Sequence, residues 1–114
     1  MKTPDRLADC LSLARGAIRN THIASGYEVI TNTRAGVQTL RSRISPTPAI
    51  MKEMANVLAA ATSLFNLLNN GSVLMSTVRL EEEKERALAT IDQLERALPG
   101  VQPSDEARDL GLDW

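Results

Sequence analysis

The sequence predicts an all-α fold, a small antiparallel bundle of about four helices. Three observations carry this: apolar residues recur at helical spacing through four segments, capping chemistry or proline punctuates each one, and the links between them are short. The 114 residues are 43% apolar and 24% charged, enough for one domain with its own core. The expected helices span approximately 4–23, 26–44, 48–69 and 73–98. Residues 1–100 form the domain, and 101–114 read as a flexible acidic tail.

The first helix opens at Thr3-Pro4, where threonine caps an orphan N–H and proline has none to lose. Leu7, Leu11, Ala14 and Ile18 follow at steps of four, three and four, the narrow seam of a helix packed on another helix. Arg15 and Arg19 are expected to face outward.

Ser25-Gly-Tyr-Glu28 has capping-box spacing and opens the second helix. Its stripe is Ile30, Thr33, Val37, Leu40 and Ile44, and Pro46 forbids continuation. Val29, Ile30, Thr31 and Thr33 are β-branched and Gly36 is interior, so residues 27–33 read either as helix or as a short extended segment. The unbroken register of the stripe favours helix.

Thr47-Pro48 repeats the cap-and-proline device at the start of the third helix, which should end at Asn69-Asn70-Gly71. Ile50, Met54, Val57, Leu58, Ala61, Leu64, Phe65 and Leu68 cover an arc of roughly 140 degrees, making this the central helix. Small residues flank the arc at Ala55, Ala59 and Ala60 and allow close approach.

The fourth helix carries a heptad in which Val73, Leu80, Ala87 and Leu94 alternate with Thr77, Lys84, Ile91 and Leu98, with Lys84 the charged intruder. Glu82 with Arg86 and Asp92 with Arg96 have the i, i+4 spacing of solvent-face ion pairs. Pro99-Gly100 stops the helix, and the tail beyond reads as carrying a single helical turn from Ser104. Strand signals are weak throughout.

Composition excludes most catalytic classes. One histidine and one cysteine leave no His/Cys metal set and no nucleophilic triad within one chain. Glycines occur singly, without a phosphate-loop pattern, and the Glu81–Glu85 run reads as a solvated helix start that complements the macrodipole. His22 reads as a helix-end cation. No catalytic residue, cofactor or metal is expected. Cys10 reads as a small buried hydrophobe, with an interchain disulfide as the alternative. The mixed-charge start Met1–Arg6 lacks a secretory pattern, and Met54–Leu68 is too polar to span a bilayer, so a cytoplasmic protein without membrane contact is expected.

The stripes outnumber what one short bundle shelters, which points to protein–protein contact through Met51, Met54, Leu58, Phe65, Leu80, Leu88, Ile91, Leu94 and the terminal Trp114. The reading is a small regulator that binds and inhibits or sequesters another protein, with a homodimer as expected assembly. A homo-oligomeric structural or chaperone-like role is one alternative. The other is nucleic-acid binding. Residues 1–56 carry a surplus of four positive charges and residues 57–114 a surplus of five negative ones, so Arg15, Arg19, Arg34, Arg41 and Arg43 are candidate phosphate contacts. In size, helical character and lack of catalytic groups the chain resembles the small bacterial antiactivators, which bind transcription factors and block their dimerisation. That resemblance, one of overall character, implies a transcriptional regulator as partner; no residue takes a role from it.

Overall fold

The computed structural model describes Leu7 and residues 9–20, 26–70 and 77–109. Five helices occur among them: α1 (Ser12–Arg19), α2 (Gly26–Arg43), α3 (Pro48–Asn70), α4 (Thr77–Ala97) and the short α5 (Asp105–Asp109). Two strands of two residues each, β1 (Ile44–Ser45) and β2 (Gln102–Pro103), pair antiparallel. The expected bundle is therefore present. α3 packs most extensively on α4 and α2, while α1 lies across α2 and α4, closing a ring of four.

The core follows the predicted stripes. Leu7, Leu11, Ala14 and Ile18 of the first stripe are buried, as are Ile30, Thr33, Val37, Leu40 and Ile44 of the second. Residues 27–33 are helical, so the extended alternative for them falls away. Thr33 is tolerated in the core because its hydroxyl donates to the Val29 carbonyl at 2.7 Å, one turn back along α2. The Thr47 cap forms as expected: its Oγ1 accepts the Ile50 N–H at 3.2 Å, and its carbonyl accepts the Met51 N–H at 3.0 Å.

Several expectations need correction. The first helix is interrupted: Leu7 and Asp9 are helical, but Cys10 and Leu11 form a turn, with the Cys10 N–H bonded to the Leu7 carbonyl at 3.2 Å, before α1 begins. The turn lies where the Cys10 backbone meets α2. A Cβ on Gly36 would collide with the Cys10 carbonyl, so the interior glycine that weakens α2 locally is what lets the two backbones touch. Thr3-Pro4, Ser25, His22, Gly71 and Val73 lie outside the described residues.

The solvent-face pairs also differ from expectation. Arg86 sits 3.7 Å from Glu83, at i, i+3, instead of pairing with Glu82. Asp92 receives Arg15 from α1 instead of Arg96: Nη1 lies 2.7 Å from Asp92 Oδ1 and Nη2 2.5 Å from Glu95 Oε1. Arg15 thus turns onto α4, because two carboxylates one helical turn apart match its fork better than solvent does. Lys84 stays in the seam by reaching Glu81, 3.5 Å away, and its side chain is largely covered.

The segment after Pro99 carries the helical turn expected from Ser104, as α5, and packs against the bundle. Gly100 adopts a left-handed φ of 82°, the Val101 N–H returns to the Leu98 carbonyl at 2.9 Å, and Val101 is buried. Residues 102–103 then pair with 44–45, and Ser104 caps α5, accepting the Ala107 N–H at 3.0 Å and donating to the Ser42 carbonyl at 2.6 Å. Residues 101–109 are therefore docked against the C-terminal end of α2. Buried Val101 and Ala107 supply the apolar contact that a count of acids in this stretch conceals.

Candidate interaction surface

The predicted contact residues divide by burial. Met54, Ile91 and Leu94 are at most 4% exposed, so the structure assigns them to the core and takes them out of the candidate surface. Leu80 and Leu88 of α4 are half-buried against that core. Trp114 lies outside the described residues. Met51, Leu58 and Phe65 remain, and they share one side of α3 at seven-residue intervals. Met51 is 45% exposed, and Leu58 and Phe65 pack only partly against the core.

Helix α2 completes this surface. The short link at 44–47 makes α2 and α3 antiparallel, and a Cβ at Gly26 would lie 3.2 Å from Leu68 Cβ and 3.4 Å from Phe65. Equal steps along both helices from that contact bring Tyr27 level with Phe65, Arg34 with Leu58 and Arg41 with Met51. Tyr27, Arg34 and Arg41 are themselves seven residues apart, so three rungs about 10.5 Å apart run along an outer α2–α3 seam. Tyr27 is 70% exposed, and Arg34 and Arg41 are exposed. Tyr27 was not singled out by sequence; its seven-residue phase with Arg34 and Arg41 is the signal that marks it.

The candidate phosphate contacts do not form one patch. Arg15 is engaged by Asp92 and Glu95, which corrects its assignment as a free phosphate contact. Arg43 is half-buried and lines a cleft of about 290 Å³ between α1 and α2, together with Asp9, Cys10 and Leu13. Arg19 is exposed near the end of α1, and only Arg34 and Arg41 stand in register. In the same α1–α2 cleft, burial pushes the Cys10 thiol above its ordinary pKa, Arg43 opposing and Asp9 reinforcing the shift. Cys10 is half-buried, close to the expected small hydrophobe.

The other grooves are different in kind. A cleft of about 470 Å³ between α3 and α4 is polar along much of its wall, with Glu53, Asn56, Arg86 and Gln93 around Ala59 and Ala60. Among the described residues no group of three or more His, Cys, Asp or Glu is placed to hold a metal ion, and no helix is long and apolar enough to cross a membrane. No family model, curated protein or solved structure matches this chain.

Proposed function

We propose that this chain is a non-catalytic protein-interaction module of the cytoplasm, a small regulator that binds another protein and inhibits or sequesters it, in the manner of an antiactivator. The supporting observation is the α2–α3 seam. Met51, Leu58 and Phe65 line one side of it, incompletely covered and at the repeat that a third helix laid along the seam would match. Exposed apolar area costs about 25 cal/mol per Å² relative to burial, so apolar side chains left uncovered along one helix face favour a partner that covers them.

The test is affinity capture of the tagged chain under nuclease and moderate salt, comparing wild type with Leu58→Asp and Thr62→Tyr. Thr62 is exposed on the same side of α3, and among the described residues its hydroxyl bonds only to the Leu58 carbonyl of its own helix, so tyrosine there fills the seam without disturbing the core. A stoichiometric protein captured by wild type and lost with both folded variants is the expected result. Undiminished capture by Thr62→Tyr overturns the reading.

A further inference from the structure

We infer that the α2–α3 seam receives an acidic amphipathic helix from a partner protein. This rests on the reading of the seam as the interaction surface and adds the chemistry of what occupies it.

The argument is one of charge placement. Helix α2 has a single acid, Glu28, which lines the cleft on its α1 side with Ser12 and Asn32. Helix α3 also has a single acid, Glu53, which lines the cleft on its α4 side with Arg86. Neither carboxylate reaches the seam between α2 and α3. Arg34 and Arg41 stand along that seam, and no ion pair or hydrogen bond of their side chains occurs among the described residues. Three cations elsewhere are paired, Arg15 with Asp92 and Glu95, Lys84 with Glu81 and Arg86 with Glu83, while Arg19, Lys52, Arg96 and Arg108 are solvated like Arg34 and Arg41; what marks the latter two is their position beside the apolar line. The seam therefore combines a broken apolar line with two guanidinium groups that no carboxylate pairs among the described residues.

A helix matching both features has apolar anchors at three-four spacing and Glu or Asp flanking them on the α2 side. Three rungs span about 21 Å, or about 15 residues of helix. Complementary charge of this sort sets orientation and association rate more than total affinity. Nucleic acid fits less well, because two guanidinium groups interleaved with half-buried Leu58 and Phe65 give a small phosphate footprint on an apolar floor. A second copy is the other rival: its α4 offers Glu81, Glu82 and Glu85 beside exposed Val78, and that contact closes into a dimer only if it is made twice about a two-fold axis, an outcome the oligomeric state tests.

The experiment measures binding of two labelled 18-residue peptides by fluorescence anisotropy. They share leucines at three-four spacing and differ in flanking residues, Glu in one and Lys in the other. The proteins are wild type, the double variant Arg34→Glu/Arg41→Glu, and Thr62→Tyr. The Glu peptide is expected to bind wild type at least tenfold more tightly than the Lys peptide, the charge swap to reverse that order, and Thr62→Tyr to weaken the Glu peptide.

Equal affinity for both peptides, or indifference to the charge swap, overturns the inference; if Thr62→Tyr still weakens binding, the seam itself stands as an interaction surface. Absence of binding by either peptide also overturns the inference, and the capture experiment then decides the seam on its own. Two further outcomes overturn it: wild-type oligomers that dissolve on Arg34→Glu/Arg41→Glu, and displacement of the Glu peptide by a duplex oligonucleotide at lower concentration than by unlabelled peptide.

Discussion

The carbonyl oxygen of Cys10 lies too close to Gly36 to leave room for a Cβ there. Substitution Gly36→Ala should therefore force α1 and α2 apart and destabilise the protein by about 1–3 kcal/mol, despite alanine's better helix propensity. Gly16, in the middle of α1, has nothing within 4 Å of its notional Cβ. Gly16→Ala should stabilise by about 0.5–1 kcal/mol. Urea midpoints for the two variants should move in opposite directions, and a shared direction refutes this account of the crossing.

Arg15 joins α1 to α4 through Asp92 and Glu95. The arginine side chain is 20% exposed while Asp92 is 47% exposed, so solvent screens the pair and its coupling should be modest. A double-mutant cycle on Arg15→Met and Asp92→Asn should give about 0.5–1 kcal/mol, decreasing with added salt. A coupling indistinguishable from zero at low salt would remove the clip from the description.

Ser104 serves two elements at once, as the cap of α5 and as a donor to Ser42 at the end of α2. Ser104→Ala should cost about 1–2 kcal/mol. Amide exchange should quicken first at Ala107 and Arg108, whose N–H groups bond to the Ser104 side chain and carbonyl. Unchanged exchange there would show that residues 101–109 are held by their apolar contacts alone.

The Cys10 thiol is raised by burial, so the folded state favours its protonated form. Iodoacetamide should alkylate the folded protein more slowly than the urea-unfolded chain near neutral pH, because the thiolate is the nucleophile. The sign for stability follows. The thiol's contribution is complete below its unfolded pKa and is lost as pH rises through the higher folded value. Cys10→Ala should flatten that alkaline decline, and an equal slope in both proteins would contradict it.

Ile91 is fully buried whereas Leu88 is half-buried. Ile91→Ala should cost about 2–5 kcal/mol and Leu88→Ala distinctly less. Similar losses by thermal denaturation would mean that the outer side of α4 is covered in solution.

The four long segments were legible because each stripe reports its own buried face: Leu40 and Leu64 are core for the reason their spacing indicates. Gly36 was read only as a helix weakener, since the need for a close crossing lies in Cys10, far away in sequence. The same limit hid the Arg15 clip, whose carboxylates stand 77 and 80 residues further on. Charge pairing along one helix is visible as spacing, while pairing between helices depends on their packing. The helical turn after Ser104 is legible from its capping residue, whereas the docking of residues 101–109 is not, because acidic composition suggests solvation while buried Val101 and Ala107, the pairing with residues 44–45 and the Ser104 bond to Ser42 hold the segment. On the candidate surface, periodicity found Met51, Leu58 and Phe65 but did not separate them from Met54, Ile91 and Leu94. Which apolar positions are left uncovered depends on how the helices are arranged around α3.

The β1–β2 pairing joins Ile44 to Pro103 and Ser45 to Gln102, so it encloses the whole α3–α4 hairpin in a loop of the chain. Contacts inside that loop need only a short connection to be crossed, while the pairing itself must close a long one, with a larger entropic cost before any return. The hairpin can therefore form without the clasp, but the clasp has little to hold without the hairpin. Opening should proceed in reverse, residues 101–109 parting from the end of α2 while α3 and α4 remain together. The protein thus has a built-in order of disassembly, written in which of its contacts are local and which are remote.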